Sequence, residues 1–538
     1  MPDSKKINKI SKETPKETAD KKTQPPAPLP LIEHTIGGRE FYSNTSVIRR
    51  LLEYCGVPTN VTKTFNLPQG TWPKDCNALT EMAKHKTCEY LVGWGEGMKN
   101  AGNGEFRSLP NHSLGWLLSS EYGRTDIFRS IWDKESNLCV IDVEYFSKKY
   151  PGETYINPIR VFWELEPTLQ CMKSTFFSYG IRPLITATGQ GYHIGFRVDK
   201  KKEGKDNPVY KELEKIGHIE DTLLGKYHHP PFGSRRSRPV TDEEGKVYDA
   251  LGKLVEYVLH KTMKSVYAYG NRMPIVVGDA VVGNEKMEAI SVDLSAFANP
   301  LYMRDIRMPF SKHHKHKMKK IFDDSIKNIP TAIAVPRFTP CNGNELTLDE
   351  LFKNRRDYRH AANYASAINT EIPECSEGIL KLTNEYKKSK LYEFHKDFDS
   401  TKEDDPNDWQ NRYDKFELEK VPPCISHMLA NPNPWLLQPT VIQTIVRAMT
   451  GKGWWHPKHI AGLFRSKYER DHKWEVNFYK YDANTWATVW TRIYAGMLID
   501  GTDELVDFNC ISHQEKGMGW DRPYCVTPHC GNSLGNYR

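Results

Sequence analysis

No stretch of this 538-residue chain holds 18 consecutive apolar residues, so a membrane-crossing helix is excluded. The start is rich in lysine and has no apolar core of the secretory type. The expected location is therefore intracellular and cytoplasmic, not secreted. No G-x-x-x-x-G-K-[ST] occurs, which excludes a P-loop motor. Gly93-Trp94-Gly95-Glu96-Gly97 is glycine-rich, but no helix pattern with an acid about twenty residues on accompanies it, so it is not a dinucleotide fingerprint. Internal repeats are absent, which excludes solenoids and propellers. Cysteine is thin over most of the chain. Cys55, Cys76, Cys88, Cys139, Cys171, Cys341 and Cys375 are scattered singly and read as ordinary reduced thiols, not a disulfide framework. Neither charge sign dominates: 75 Lys and Arg stand against 68 Asp and Glu, a net +7. Residues 1–31 carry seven Lys and four acids, so +3 of the +7 lies there and +4 in the rest. That balance permits nucleic-acid binding without requiring it.

What is present is a globular composition, 38% hydrophobic, with length for roughly two to four domains. Residues 1–30 are Lys/Thr/Pro-rich and are expected to be a disordered tail. Val47–Tyr54 fits a helix, and motif-bearing strands are expected over 138–144, 183–198 and near 289–308. Between the last two lies a charged elaboration whose His229–Arg238 piece reads as a Pro/Arg-rich loop. Residues 31–344 are taken as one domain. Residues 345–420 are charged and low in apolar content, with an acidic break at Glu403-Asp404-Asp405-Pro406, and read as a helical linker. A mainly helical domain follows over 421–538. The fold class is α+β, with a mixed sheet in the first domain.

The chemistry begins in Leu138-Cys139-Val140-Ile141-Asp142-Val143-Glu144. The run Leu138–Val143 reads as a buried strand. Side chains alternate along a strand, so Asp142 and Glu144 share a face about 6–7 Å apart. Burying two like charges costs several kcal/mol unless something positive sits between them. A divalent metal is the usual solution, and it suits two-metal phosphoryl transfer. A second segment, Leu184 to Val198, is a strand, a turn Thr188-Gly189-Gln190-Gly191, and a second strand. His193, Gly195 and Arg197 take its polar face. An imidazole and a guanidinium beside a glycine turn suit a phosphate. In a third segment Asp293 lies opposite the apolar alternation of Ile290, Val292 and Leu294. The basic run through Arg304, Arg307, His313 and Lys315 follows it. Asp305 competes with Asp293 for the role of third carboxylate, or pairs with its neighbouring arginines.

In this order Asp-x-Glu, Thr-Gly-Gln-Gly-Tyr-His, and a strand Asp followed by Arg-x-Pro-x-Ser-x-His resemble the archaeo-eukaryotic primase superfamily, which includes the primase-polymerases. The resemblance covers roughly residues 40–340 and is carried by these motifs. It implies an RRM-like catalytic core. It also implies two divalent metals, Mg²⁺ or Mn²⁺, held by Asp142, Glu144 and Asp293. The Ser-x-His element of the family contacts the incoming triphosphate; here His193 matches, with Thr188 in place of Ser. Arg304, Arg307, His313 and Lys315 would contact nucleotide phosphates and sugar. Gln190 stands where many members have a basic residue. The implied activity is template-directed synthesis of primers, or their extension, on single-stranded DNA from NTPs or dNTPs. A separate helicase would unwind the duplex.

The remaining cysteines gather at the end: Cys424, Cys510, Cys525 and Cys530, with 85, 14 and 4 residues between them. Pro-Pro-Cys at a helix start, Arg447 in a helix, and then clustered cysteines resemble the iron–sulfur domain of the primase large subunit. A 4Fe–4S cluster on these four thiolates is what that implies. Zinc is the alternative, with His513 or His529 able to replace a cysteine. Trp454, Trp455, Trp474, Trp486 and Trp490 either stack on template bases or fill the core of this domain. Two other readings of the whole chain remain open: a metal-dependent nuclease, and a catalytically inactive single-strand-binding replication subunit.

Overall fold

The computed structural model describes residues 36–95, 106–220, 241–278, 287–298, 305–318, 322–430, 438–451, 453, 455–468, 483–515, 517–518, 522–523, 530–531 and 533–537. The expected tail, the Pro/Arg-rich loop, Arg304, Cys525, His529, Trp454 and Trp474 lie outside the described residues.

The strands, in chain order, are β1 (Tyr90–Trp94), β2 (Phe106–Pro110), β3 (Asp126–Ser130), β4 (Ser136–Ser147), β5 (Leu184–Ala187), β6 (Gly191–Asp199) and β7 (Ile275–Val277). They continue with β8 (Glu288–Asp293), β9 (Asp305–Arg307), β10 (Lys312–His313), β11 (Ala332–Ile333), β12 (Val335–Thr339) and β13 (Asn344–Glu345). Seven of them form a sheet in the order β13-β12-β5-β6-β4-β8-β7, and a second sheet runs β9-β3-β1-β2. The larger sheet is mixed, because β7 and β8 are parallel while β8, β4, β6 and β5 are mutually antiparallel. The class is thus α+β, as composition and patterning predict.

Burial along β4 explains its position. Leu138 to Ile141 are buried on both faces, and from there Asp142, Glu144 and Phe146 alternate as half-buried with buried Val143, Tyr145 and Ser147. The strand starts deep and ends with one face open. Helix α1 (Thr45–Tyr54) is followed by α2 (Pro158–Ser178) and α3 (Asp242–Ser265). Phe162 and Phe176 of α2 meet Tyr192 and Phe196 of β6 edge-on at 5.1 and 5.5 Å. These aromatics take the face opposite His193, so α2 seals one side of the sheet and leaves the other to the polar residues. A capping box, Thr241 with Glu244, starts α3 and satisfies two otherwise orphaned donors.

The segment expected to be a charged helical linker is helical. Residues 345–420 form α4 (Leu348–Arg356), α5 (Tyr358–Ala367), α6 (Ser376–Tyr386) and α7 (Lys390–Ser400). Each has a thin buried stripe, such as Ile379, Leu382 and Tyr386 in α6 and Leu391, Phe394 and Phe398 in α7. Spacings of three, four and seven make one helical face, so little apolar content suffices to dock them. The chain before α6 is hydrogen-bonded to β6: Arg197 N–H donates to Pro373 O at 2.9 Å, and Cys375 N–H to Arg197 O at 3.0 Å. Even the acidic break is tied down, with Glu403 half-buried and 3.2 Å from Arg465.

The last segment holds α8 (Pro423–Ala430), α9 (Pro439–Gly451), α10 (Pro457–Tyr468), α11 (Ala483–Ile499) and α12 (Cys510–Glu515). It is joined to α3 by enclosed charges. On α3, Asp249, Lys253 and Glu256 sit one and two turns apart. Lys253 Nζ lies 2.8 Å from Asp249 and 2.6 Å from Asp399 of α7. Arg492 of α11 reaches Asp249 at 2.8 Å, and His395 of α7 reaches Glu256 at 3.3 Å. Among the described residues, no helix is long and apolar enough to cross a membrane.

Candidate active site

Backbone register brings the predicted acids together. Asp142 pairs directly with His193 of β6 on one side and with Asp293 of β8 on the other. Directly opposed residues in an antiparallel pair point to the same face. Glu144, two positions on, faces Gly191 and Ser291 and shares that face. Asp142, Glu144, His193 and Asp293 thus line the open face of three central strands. Asp305 is in the other sheet, opposite Ser130. Of the two candidate acids, Asp293 is therefore the one beside Asp142.

Opposed side chains of this kind have Cβ atoms about 4.5–5.5 Å apart. Two carboxylates at about 5 Å repel by about 3 kcal/mol at an effective dielectric of about 20. His193 Nε2 is 3.7 Å from Asp142 Oδ1. Burial, with Arg307 and Lys315 nearby, drives the His193 imidazole down to about 3, so it is neutral at physiological pH. Its Nδ1 is enclosed and has no hydrogen-bond partner among the described residues. Asp293 ends β8 by accepting the Ser295 N–H at 2.7 Å, which anchors its carboxylate to the backbone.

The second motif's turn is built against the third motif. Gly191 allows β6 to approach β4: a Cβ there would lie 1.9 Å from Val143 O. A Cβ on Gly189 would lie 2.2 Å from the His313 ring, so imidazole and turn are in direct contact. Lys315 Nζ donates to Gln190 Oε1. Gln190, in place of a basic residue, is therefore one partner of the lysine. Thr188 is buried and its hydroxyl donates within the turn to Gly191 O at 3.3 Å; it closes the turn instead of facing the open side. Burial and the cations Arg307 and Lys315 push the His313 imidazole well below its usual range.

Two predicted phosphate ligands have other partners. Arg307 is ion-paired with Asp126 at 2.7 Å in a nearly closed environment and stacks on Phe128 at 4.4 Å. Asp126 also accepts from His314 at 2.5 Å and from the His314 N–H at 2.9 Å. Burial opposes its charge, but Arg307 and His314 hold its carboxyl below the usual range. Arg307 therefore fixes the loop that carries His313. Arg197, four residues along β6 from His193, pairs with Asp199 at 2.8 Å, away from the carboxylates. Two contributors had no signal in the sequence. One is Asp126, a lone acid at a strand start. The other is Arg355 of α4, which is buried, lies over Phe162 at 4.3 Å and donates to Thr188 O at 2.5 Å.

In the last segment α8 begins at Pro423 with Cys424 buried in its first turn. Leu534 N–H donates to Cys510 Sγ at 3.4 Å, and Tyr537 Oη to Lys420 O at 3.1 Å. The C-terminal residues thereby tie the Cys510 and Cys424 segments together. Cys530 is exposed. Arg447 is buried between Asp503 and Asp507 at 2.7 and 3.0 Å, a structural role. Trp490 is core, Trp486 packs on it at 5.6 Å, and Trp455 packs on Phe416 at 5.1 Å. Among the described residues, no three His, Cys, Asp or Glu side chains form a ready-made metal cage.

No family model matches the chain, and no curated protein or solved structure is significantly similar to it.

Proposed function

We propose that the chain is a primase-polymerase: a template-directed nucleotidyltransferase with a primase-type core and a helical domain like that of the primase large subunit. The observation that carries this reading is the register Asp293–Asp142–His193 across three central strands, with Glu144 one step on. Three carboxylates on one face are the oxygen donor set that Mg²⁺ and Mn²⁺ prefer, and a cation between Asp142 and Asp293 turns their repulsion into attraction. Bound there, two divalent ions would activate a primer 3′-hydroxyl and neutralise the departing pyrophosphate.

The chain's own residues supply positioning. The neutral His193 imidazole has one N–H to donate to a phosphate oxygen. His313, packed on Gly189, and Lys315, held by Gln190, would border the triphosphate from the other side. Arg307 acts one step back, through Asp126 and the loop it fixes. Positioning and charge neutralisation account for most of such catalysis. The Cys424, Cys510, Cys525 and Cys530 thiolates would hold a 4Fe–4S cluster, or zinc as the alternative. The amide of Leu534 on Cys510 Sγ fits a thiolate ligand, which such hydrogen bonds stabilise. Single-stranded DNA, NTPs or dNTPs, and a separate helicase would be its partners.

The test is purified full-length chain on unprimed and primed single-stranded DNA with nucleotides and Mg²⁺ or Mn²⁺. The reading expects new or lengthened strands with one pyrophosphate released per nucleotide. Nicked DNA without pyrophosphate would make it a nuclease, and binding without either product an inactive subunit.

A further inference from the structure

A cavity of about 110 Å³ lies at the other end of β4 from the carboxylates. The first residues of β4 and the last of β6 build its floor. Ser136 is directly opposite Asp199, and Leu138 opposite Arg197, and all four line the cavity. Opposed residues point to the same face, and Ser136 and Asp142 are six positions apart, an even number. The cavity is therefore on the sheet face that carries Asp142, about 20 Å away along the strand. Tyr54 and Pro58 around the end of α1, Thr87 before β1, and Glu371 and Ile372 before α6 supply other walls. Glu135 is exposed, and Asp199 and Glu371 are half-buried, so the cavity opens to solvent on their side.

The charges around it do not balance. Five carboxylates line it: Glu53, Asp133, Glu135, Asp199 and Glu371. Three arginines answer them. Arg50 pairs with Glu53 at 2.7 Å, Arg129 with Asp133 at 2.7 Å and Arg197 with Asp199 at 2.8 Å, which leaves two negative charges over. Lys200, whose Nζ reaches Asp133 O at 3.2 Å, is itself paired with Glu244. The guanidinium groups on the wall already use their N–H donors. Arg129 also donates to Tyr54 O at 2.8 Å and Ser130 O at 2.9 Å, and Arg197 to Ile372 O. Burial raises the Asp199 carboxyl in spite of Arg197, and Glu374 and Asp133 add to the rise. Ser136 is 2% exposed, and its Oγ has no hydrogen-bond partner among the described residues. The wall thus offers acceptors, negative charge and one orphaned hydroxyl, which a buried site keeps only at a cost.

We propose that this cavity binds a primary alkylammonium, one end of a short diamine or polyamine. An ammonium brings three N–H donors and one positive charge to a wall that has acceptors and an acid surplus. Ser136 Oγ accepts one N–H, and the Asp199 and Glu371 carboxylates take the others. Leu138, Pro58 and Ile372 form the apolar part of the wall and cover the methylenes, as apolar surface does for the stem of a lysine. A second ammonium stays at the mouth beside the exposed Glu135, so a diamine matches both surplus charges. The same surplus repels an anion. Among the described residues no three His, Cys, Asp or Glu side chains come together to ligate a metal ion, which leaves an organic cation as the occupant. The cavity shares β4 and β6 with the carboxylate face but none of its acids.

The test is isothermal titration calorimetry of full-length protein with butane-1,4-diamine and with butylamine at fixed ionic strength. One equivalent of either amine should bind, the diamine more tightly. Tetramethylammonium, which has the charge but no N–H, should neither bind nor compete. Ser136→Val and Glu371→Gln, each checked for native circular dichroism, should weaken diamine binding at least about tenfold, the loss expected when one hydrogen bond to a charged group goes. Asp142→Ala and Asp293→Asn should leave it unchanged. The proposal is overturned if neither amine binds, if tetramethylammonium binds as tightly as butylamine, or if both cavity variants hold the diamine as the native chain does. Binding lost in Asp142→Ala and kept in Glu371→Gln would put the amine on the carboxylate face and overturn it equally.

Discussion

Gly189 and His313, 124 residues apart in sequence, are in contact so close that a methyl group on Gly189 would lie 2.2 Å from the imidazole ring. That contact joins the turn of the second motif to the loop of the third. Only a residue without Cβ lets the ring sit there, where its centroid also lies 5.9 Å from that of Tyr155.

Gly189→Ala therefore forces His313 aside. Overpacking of this kind costs about 1–3 kcal/mol. Nucleotide incorporation should fall at least about tenfold while circular dichroism stays native. Gly37→Ala, where a Cβ meets nothing within 4 Å, is the matched control and should change neither.

The enclosed charges joining α3, α7 and α11 make a second prediction. Asp249 lies between Lys253 and Arg492, and despite burial those cations hold its carboxyl far below the usual range. Removing one partner strands the others, at about 3–5 kcal/mol. Arg492→Ala and Asp249→Ala should each lower the urea midpoint markedly, and the double variant should lose less than the sum. Additive losses would mean that the charges act independently.

Acid sensitivity follows from buried histidines. Burial lowers His316 to about 4 and His193 to about 3, and His313 well below its usual value. The unfolded chain takes these protons near pH 6.5, whereas the folded chain does not. Stability is therefore complete above about 6.5 and is lost as pH falls towards the folded values. Depressed acids such as Asp126 and Asp249 add their loss only below about pH 4. The urea midpoint should thus drop between pH 7.5 and 5.5. His316→Gln, which keeps a donor for Ile329 O at 2.7 Å in the native chain, should flatten part of that slope.

Much of the larger sheet is legible because strands announce themselves by alternation. Asp142, Glu144 and His193 fall where period-two reading puts them, and Asp293 sits beside Asp142. Helices α4 to α7 were not legible as packed elements, because their apolar stripes are thin and their other faces crowded with charge. For Arg307 the family resemblance implies a nucleotide contact, and for Arg197 the residue type and face suggest a phosphate. What redirects them is Asp126 and Asp199, and for Arg307 the partner arrives from another sheet. Arg355 was hidden for the same reason: a buried arginine on a charged helix looks like any solvated one.

The proposed iron–sulfur cluster offers a visible readout. Protein purified without oxygen should be brown, with broad visible absorption that Cys424→Ser and Cys510→Ser abolish. Colourless protein with one equivalent of zinc would assign the site to zinc instead.

The most direct test of the carboxylate site compares Asp293→Asn with Asp305→Asn in nucleotide incorporation at saturating Mn²⁺. Loss of a group that stabilises developing charge typically costs about 10²–10³ in rate. Asp293→Asn should lose that much, as Asp142→Ala should, while Asp305→Asn stays within about threefold of the native chain. Native rates in Asp293→Asn, or a collapse in Asp305→Asn with Asp293→Asn unaffected, would contradict the account.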